Sequence, residues 1–327
     1  MKKFIKRALF ASLALAVLLI AVSCGAPQKK KHDRLTVVAT MFPLYDWARN
    51  IAGENADVLL LLDNSTDLHS YQPTVDDIVK IASCDLFLYV GGESDKWVAD
   101  ALTSIGSGAP EAVSLLKALG DKAVGEELLE GMEAEQEHEH EEDEGHEEEE
   151  EIEYDEHVWL SLRNAKALCG VIADTFGALD SANAGAYAAN LAAYTARLDA
   201  LDEAFESAVS AASGKVLVFA DRYPFRYLAD DYGLTCYAAF SGCSAETEAS
   251  FETVVFLAHK VDEYHLPAIL QIESADGSLA RTVRDSTADK DQAILTLDSL
   301  QSATGGDERS YLAAMETNLD VLKQALR

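Results

Sequence analysis

Apolar residues fall along this chain in two alternating periods. Leu35-Thr36-Val37-Val38-Ala39-Thr40, Val58 to Leu62 and Leu86 to Val90 are short apolar runs of strand length. Between and after them, Leu44 to Ala52, Thr74 to Ala82 and Trp97 to Ile105 space their apolar residues for helices. Gly53 closes the first of these, and Pro73 helps to start the second. The alternation returns late in the chain. Val216 to Ala220, Ala268 to Ile272 and Ala293 to Leu297 read as strands, and Phe225 to Tyr232, Phe251 to Tyr264 and Tyr311 to Leu326 as helices. Short apolar strands alternating with helices predict parallel βαβ units. The expected fold class is therefore α/β, with two α/β lobes, one over residues 35–180 and one over 214–327.

Between the lobes, Ala182 to Ala212 contains no proline and a single early glycine. Leu191, Tyr194, Leu198, Leu201 and Phe205 recur at helical spacing. This predicts one connecting helix over residues 181–213, up to about eight turns long. Such a helix is a stiff connector; two shorter helices with a bend are the alternative.

The N-terminus has a different pattern. Lys2, Lys3, Lys6 and Arg7 precede an apolar run from Ala8 to Val22. That run is shorter than the roughly 20 residues of a membrane span and has signal-peptide proportions. Ala21-Val22-Ser23-Cys24-Gly25 resembles a bacterial lipobox, with Ala21 where Leu is commoner. The resemblance implies a signal peptide over residues 1–23, lipidation at Cys24, and a lipid-anchored linker over 24–34 carrying Lys29, Lys30 and Lys31. The plainer alternative is a signal peptide with an incidental cysteine.

Composition narrows the function classes. Hydrophobic residues make up 49 % of the 327, which excludes global disorder and allows a sizeable core. A net charge of -31 argues against nucleic acid as a partner. Residues 126–156 hold 19 Asp or Glu and no Lys or Arg, together with His138, His140 and His146. A stretch of that kind has no apolar face to bury and is expected to be a disordered acidic loop within the first lobe. It is either a solubilising insertion or a weak metal-collecting tract. Cys84, Cys169, Cys236 and Cys243 show no CxxC spacing, which disfavours a cysteine zinc site. A Cys236–Cys243 disulfide and four free thiols are both compatible with the sequence.

Candidate chemistry sits at four places. His69 lies in Asp67-Leu68-His69-Ser70-Tyr71-Gln72-Pro73-Thr74, after the second strand. His157 lies in Asp155-Glu156-His157-Val158-Trp159-Leu160, entering a helix. Asp221 follows the strand Lys215 to Ala220, and Asp298 follows Ile294 to Leu297. Ligands of open α/β sheets gather at the carboxyl ends of strands, so a cleft between the lobes would bring two histidines and two aspartates together. Each residue alone has a plainer reading: a solvated histidine, or an aspartate capping a helix or turn.

Together the motifs resemble those of the zinc- and manganese-binding receptors of bacterial ABC importers, the metal-binding lipoproteins or adhesins. Val38-Ala39-Thr40-Met41-Phe42-Pro43-Leu44-Tyr45-Asp46 is similar to the opening strand and helix of that family. The segments around His69 and His157 are similar to its two Asp-Pro-His motifs, the second of which ends in Trp-Leu. The resemblance covers residue 35 to the end and implies His69 and His157 as ligands. Asp298 in Leu297-Asp298-Ser299 matches the family's C-terminal Asp. The third ligand position, His or Glu in the family, falls on Asp221 at the cost of one extra residue near Tyr223-Pro224, with Glu273 as the carboxylate to take over. Glu246 and Glu248 instead favour a helix N-terminus.

What the resemblance implies is a monomeric extracytoplasmic receptor, lipid-anchored to the outer face of the cytoplasmic membrane and not an enzyme. It captures Zn²⁺ for an ABC permease and ATPase. Two imidazoles and two carboxylates suit tetrahedral Zn²⁺, while bidentate carboxylates suit Mn²⁺, the alternative cargo. The histidine-bearing acidic loop resembles that of zinc receptors. A secreted metal-dependent hydrolase is a further alternative, weakened by a closed four-ligand shell and the lack of an HExxH motif. A pure adhesion or metal-buffering surface protein is the third.

Overall fold

A computed structural model describes residues 34–62, 67–133, 153–244, 248–302 and 310–327. The described residues form eight strands: β1 (Leu35–Ala39), β2 (Ala56–Leu60), β3 (Leu86–Tyr89), β4 (Glu111–Ser114), β5 (Val216–Tyr223), β6 (Thr235–Ser241), β7 (Ala268–Gln271) and β8 (Ala293–Thr296). The α-helices are α1 (Phe42–Ala52), α2 (Val75–Ser83), α3 (Trp97–Ile105), α4 (Leu115–Leu119), α5 (Leu162–Leu179), α6 (Ala184–Ala211), α7 (Arg226–Tyr232), α8 (Phe251–Glu263), α9 (Ser278–Ser286) and α10 (Tyr311–Ala325). Two four-stranded sheets result, ordered β2-β1-β3-β4 and β6-β5-β7-β8, and every pairing is parallel. The fold is thus α/β with two parallel-sheet lobes.

Local sequence accounts for the boundaries. Gly53, at φ 57, ends α1 in a backbone conformation that residues with a Cβ resist. Thr74 and Asp77 form a capping box at the start of α2, each side chain accepting the other's backbone N–H at 3.2 and 3.0 Å.

The long helix α6 runs 28 residues. It buries Tyr187, Tyr194, Leu198, Leu201, Phe205 and Val209, a stripe of three- and four-residue steps with one seven-residue gap. That stripe packs on α1 and α5 of the first lobe and on α7 and α10 beside the second. Tyr194 Oη donates to Asp46 Oδ2 at 3.3 Å, and the same oxygen accepts the Tyr311 backbone N–H at 3.1 Å. One hydrophobic core consequently runs through both lobes, holding Leu88 of β3 and Leu270 of β7 alike. A smaller core, with Val218, Phe240, Leu257 and Val283, lies under α8 and α9.

The acidic segment expected to be disordered is tied down at both ends. Gly125 and Tyr154 form an antiparallel bridge, Glu126 N donates to Glu153 O at 2.8 Å, and Glu133 N donates to Ala239 O at 2.9 Å. Residues 134–152, with His138, His140 and His146, lie outside the described residues, as do the signal-peptide region and Cys24. All four described cysteines are free thiols.

Candidate metal centre

His69 stands in a 3₁₀ turn, Leu68–Ser70, at the carboxyl end of the strand layer beyond β2. Asp67 shapes the turn, its Oδ1 accepting the His69 backbone N–H at 3.0 Å. His157 stands just before a second 3₁₀ turn, Val158–Leu160. Asp155 Oδ1 accepts both the His157 backbone N–H, at 2.8 Å, and its ring Nδ1, at 2.9 Å. Tyr227 of α7 reaches across to hold the same stretch, donating from Oη to Asp155 O at 3.0 Å.

These turns bring the two imidazoles together, with the Nε2 atoms 3.2 Å apart. The hydrogen bonds behind the rings determine what those atoms present. Ser94 Oγ donates its hydrogen to Glu156 Oε2. It therefore accepts from His69 Nδ1, 2.8 Å away. His157 Nδ1 likewise donates to the Asp155 carboxylate. Both rings then carry their hydrogens on Nδ1 and turn Nε2 lone pairs toward each other. Two lone pairs at this distance repel unless a cation lies between them, and carboxylate- and hydroxyl-backed histidines are the pattern of metal ligands. Burial, then the charge of the facing His157, pushes His69 down to about 3, so its ring is neutral and competent to coordinate at ordinary pH.

The frame behind the pair is crowded. Glu156 is buried, and its carboxyl is raised by that burial against the opposing hydrogen bonds from Ser94. A Cβ on Gly92, at φ 78, would lie 2.4 Å from Glu156 Oε1, so only glycine fits there. On the opposite side, a Cβ on Gly242 would lie 2.8 Å from His157 Cε1. The turn after β6 thus presses its backbone onto the imidazole, and it brings Cys243 with it. His69, His157 and Cys243 each offer a ligand atom, all within 4.8 Å of one another.

Neither aspartate expected at the site belongs to that group among the described residues. The reason at Asp221 is a β-bulge: β5 slips its register against β6 between Phe219 and Arg222. Asp221 Oδ2 then accepts Ile272 N at 3.0 Å and Oδ1 accepts Arg222 N at 2.8 Å, so both oxygens hold backbone. Asp221 lines a cavity of about 550 Å³, along with Asp67, Ser70, Arg222, Ser244 and Ser274; His69 and His157 do not line it. The bulge aims Arg222 at the first lobe, where its Nη2 donates to Asp67 Oδ2 at 2.8 Å. Burial alone would raise Asp67, but the Arg222 hydrogen bond and charge hold it below the ordinary carboxylate range.

Asp298 sits in the turn after β8. Its Oδ1 accepts Leu300 N at 2.9 Å, and its backbone N–H and C=O are both bonded to the Asn318 side chain at 2.8 Å. That turn is coupled to the second histidine motif, because Trp159 Nε1 donates to Ser299 O at 2.8 Å. Glu273 is occupied nearby, accepting from Ser299 N and Oγ at 2.8 Å each.

The match to known proteins is as long as the fold. The model of the ZnuA family, described as zinc-uptake complex component A, periplasmic, matches residues 37–325. Zinc-binding lipoprotein AdcA of Streptococcus pneumoniae is 34 % identical over 315 residues, covering 96 % of this chain and 60 % of that protein. High-affinity zinc uptake system protein ZnuA of Bacillus subtilis is 32 % identical over 316 residues, 95 % of each chain. Among solved structures, the Zn(II)-bound ZnuA-like domain of Streptococcus pneumoniae AdcA shares a TM-score of 0.69 at 30 % identity, across 90 % of this chain and 99 % of that one. The chain spans about 60 % of the length of the pneumococcal relatives it matches. With the family model running from the first strand to the last helix, this chain belongs to the ZnuA family.

Proposed function

We propose that the chain is an extracytoplasmic receptor that captures Zn²⁺ through His69 and His157 and delivers it to the permease of an ABC importer. The observation that carries the reading is the 3.2 Å approach of two Nε2 atoms whose Nδ1 hydrogens are both engaged behind them. Such a pair is a cation site built in advance. The names of the relatives, a zinc-binding lipoprotein and a zinc uptake protein, supply the cargo. Asp298 is the proposed oxygen donor, carried by a turn that Trp159 ties to the His157 motif. Asp221 holds the bulge through the backbone of Arg222 and Ile272.

Zinc titration against a competing chelator tests this. One tight equivalent is expected, and His69→Ala or His157→Ala should each weaken it by several kcal/mol, since each removes one bond of a chelate. Wild-type affinity in both variants would sink the proposal. We further propose attachment through a lipid on Cys24; Cys24→Ser should then lose labelling by a fatty-acid probe and appear in the medium, and an unlabelled wild type would refute the anchor.

A further inference from the structure

The third member of the ligand group is a sulfur. Cys243 comes from the second lobe, in the turn after β6, and its ligand atom lies within 4.8 Å of those of His69 and His157. Cys243 is half-buried, and a free cysteine of that kind most often packs as a small hydrophobe. The surroundings here are of another kind. The charged groups that bear on the thiol are Glu126, Glu156 and Asp155. The Cys243 backbone N–H donates to Glu126 Oε1 at 3.4 Å. The backbone N–H of Glu156 faces the sulfur. Gly242 lets this turn close on the His157 ring, where no side chain fits. Together these contacts hold a sulfur beside two converging imidazoles.

We propose that Cys243 is the third metal ligand of this receptor, forming with His69 and His157 a nitrogen–sulfur set that selects zinc over manganese. The inference rests on the receptor reading and adds to it the source of selectivity. Binding forms a metal–sulfur bond and breaks the S–H bond, and the proton leaves to solvent; no redox change occurs. Thiolate suits Zn²⁺ and Co²⁺, whereas Mn²⁺ is better matched by carboxylate, carbonyl and water. The set bridges the lobes, with two ligands from the first and one from the second. With Asp298 as the oxygen donor it reaches the four of a tetrahedral site.

Cobalt(II) distinguishes this inference from the reading beneath it, because a cobalt–thiolate bond has a near-ultraviolet charge-transfer band that nitrogen and oxygen ligands do not produce. The full chain, stripped with chelator, is titrated with cobalt(II) chloride, then with zinc and with manganese by competition. One equivalent of bound cobalt with the charge-transfer band is expected. In Cys243→Ser, checked for its fold by circular dichroism, the band should vanish. The ratio of zinc to manganese affinity should fall at least roughly tenfold in that variant, since an oxygen replaces the soft donor. Should the variant fail to fold, the wild-type spectrum alone decides. One tightly bound cobalt without the band overturns the cysteine assignment and leaves the receptor in place. No tight binding of cobalt or zinc overturns both.

Discussion

Arg222 Nη2 donates to Asp67 Oδ2 at 2.8 Å, an ion pair between a strand of the second lobe and the loop that presents His69. The other Asp67 oxygen holds the His69 backbone, so the pair acts on the histidine through one carboxylate. Both side chains are largely buried, which makes the contact stronger than a surface pair. Arg222→Gln should weaken zinc binding about tenfold, roughly 1–2 kcal/mol, with one equivalent still bound. Calorimetric titration reads both quantities; an unchanged affinity would mean the His69 turn stands without its partner.

Asp95 gives a pH dependence whose sign can be worked out. It is buried, and burial raises its carboxyl from 3.8 to about 7, against hydrogen bonds from the Gly91 and Val90 backbone and with added repulsion from Glu156. Between those values the folded protein keeps a proton that the unfolded chain has released. The stability from this group is therefore full below the unfolded value and is lost as pH rises through the folded one. Asp95→Asn cannot release that proton. In metal-free protein the variant should gain on the wild type as pH rises from about 4 to about 7, by at most about 1.4 kcal/mol per pH unit. Urea unfolding in chelator at both ends of the window measures the difference; a gap that does not change with pH would refute it.

The acidic segment yields a prediction about stoichiometry. Both of its ends are anchored, at Glu133 and at Tyr154, so excision of residues 134–152 with a short replacement leaves the anchors in place. The tight zinc equivalent should persist and weaker equivalents should disappear. Replacing His138, His140 and His146 with Gln should remove the weak zinc sites and leave calcium binding unchanged, because imidazole is a donor for zinc and not for calcium. Loss of the tight site on excision would place a primary ligand in the segment. Weak zinc sites that survive in the Gln variant would make it a solubilising insertion only.

Much of this was legible in the sequence because the signals were local. Parallel strands buried on both faces read as short apolar runs, and the stripe from Tyr194 to Phe205 marked the long helix. The two Asp-x-His segments carry in three residues both the imidazole and the carboxylate that fixes its backbone, so they announce themselves. The third ligand position does not. Whether Asp221 or Arg222 faces the first lobe depends on a bulge in β5, and a one-residue slip exchanges the faces of a strand. Cys243, the proposed sulfur donor, carries no local signal either. It follows β6, Thr235–Ser241, and a single cysteine in a Gly-Cys turn has none of the paired spacing by which cysteine metal sites show in sequence. Ser94 and Glu156 act through hydrogen bonds made only in three dimensions, and no spacing rule reaches them.

The two sheets share one core, and the C-terminal helix is fastened into the first lobe. Tyr311 Oη donates to Trp159 O at 2.6 Å while its backbone N–H reaches Asp46 at 3.1 Å. The peptide that follows His157 is thus fixed by residues close to the last in the chain. A fragment ending after α6 would leave bare the faces of α1 and α6 on which α10 packs. A chain without α10 would keep both histidines and the Asp67 and Asp155 carboxylates behind them, but would lose the hydroxyl that holds the Trp159 peptide.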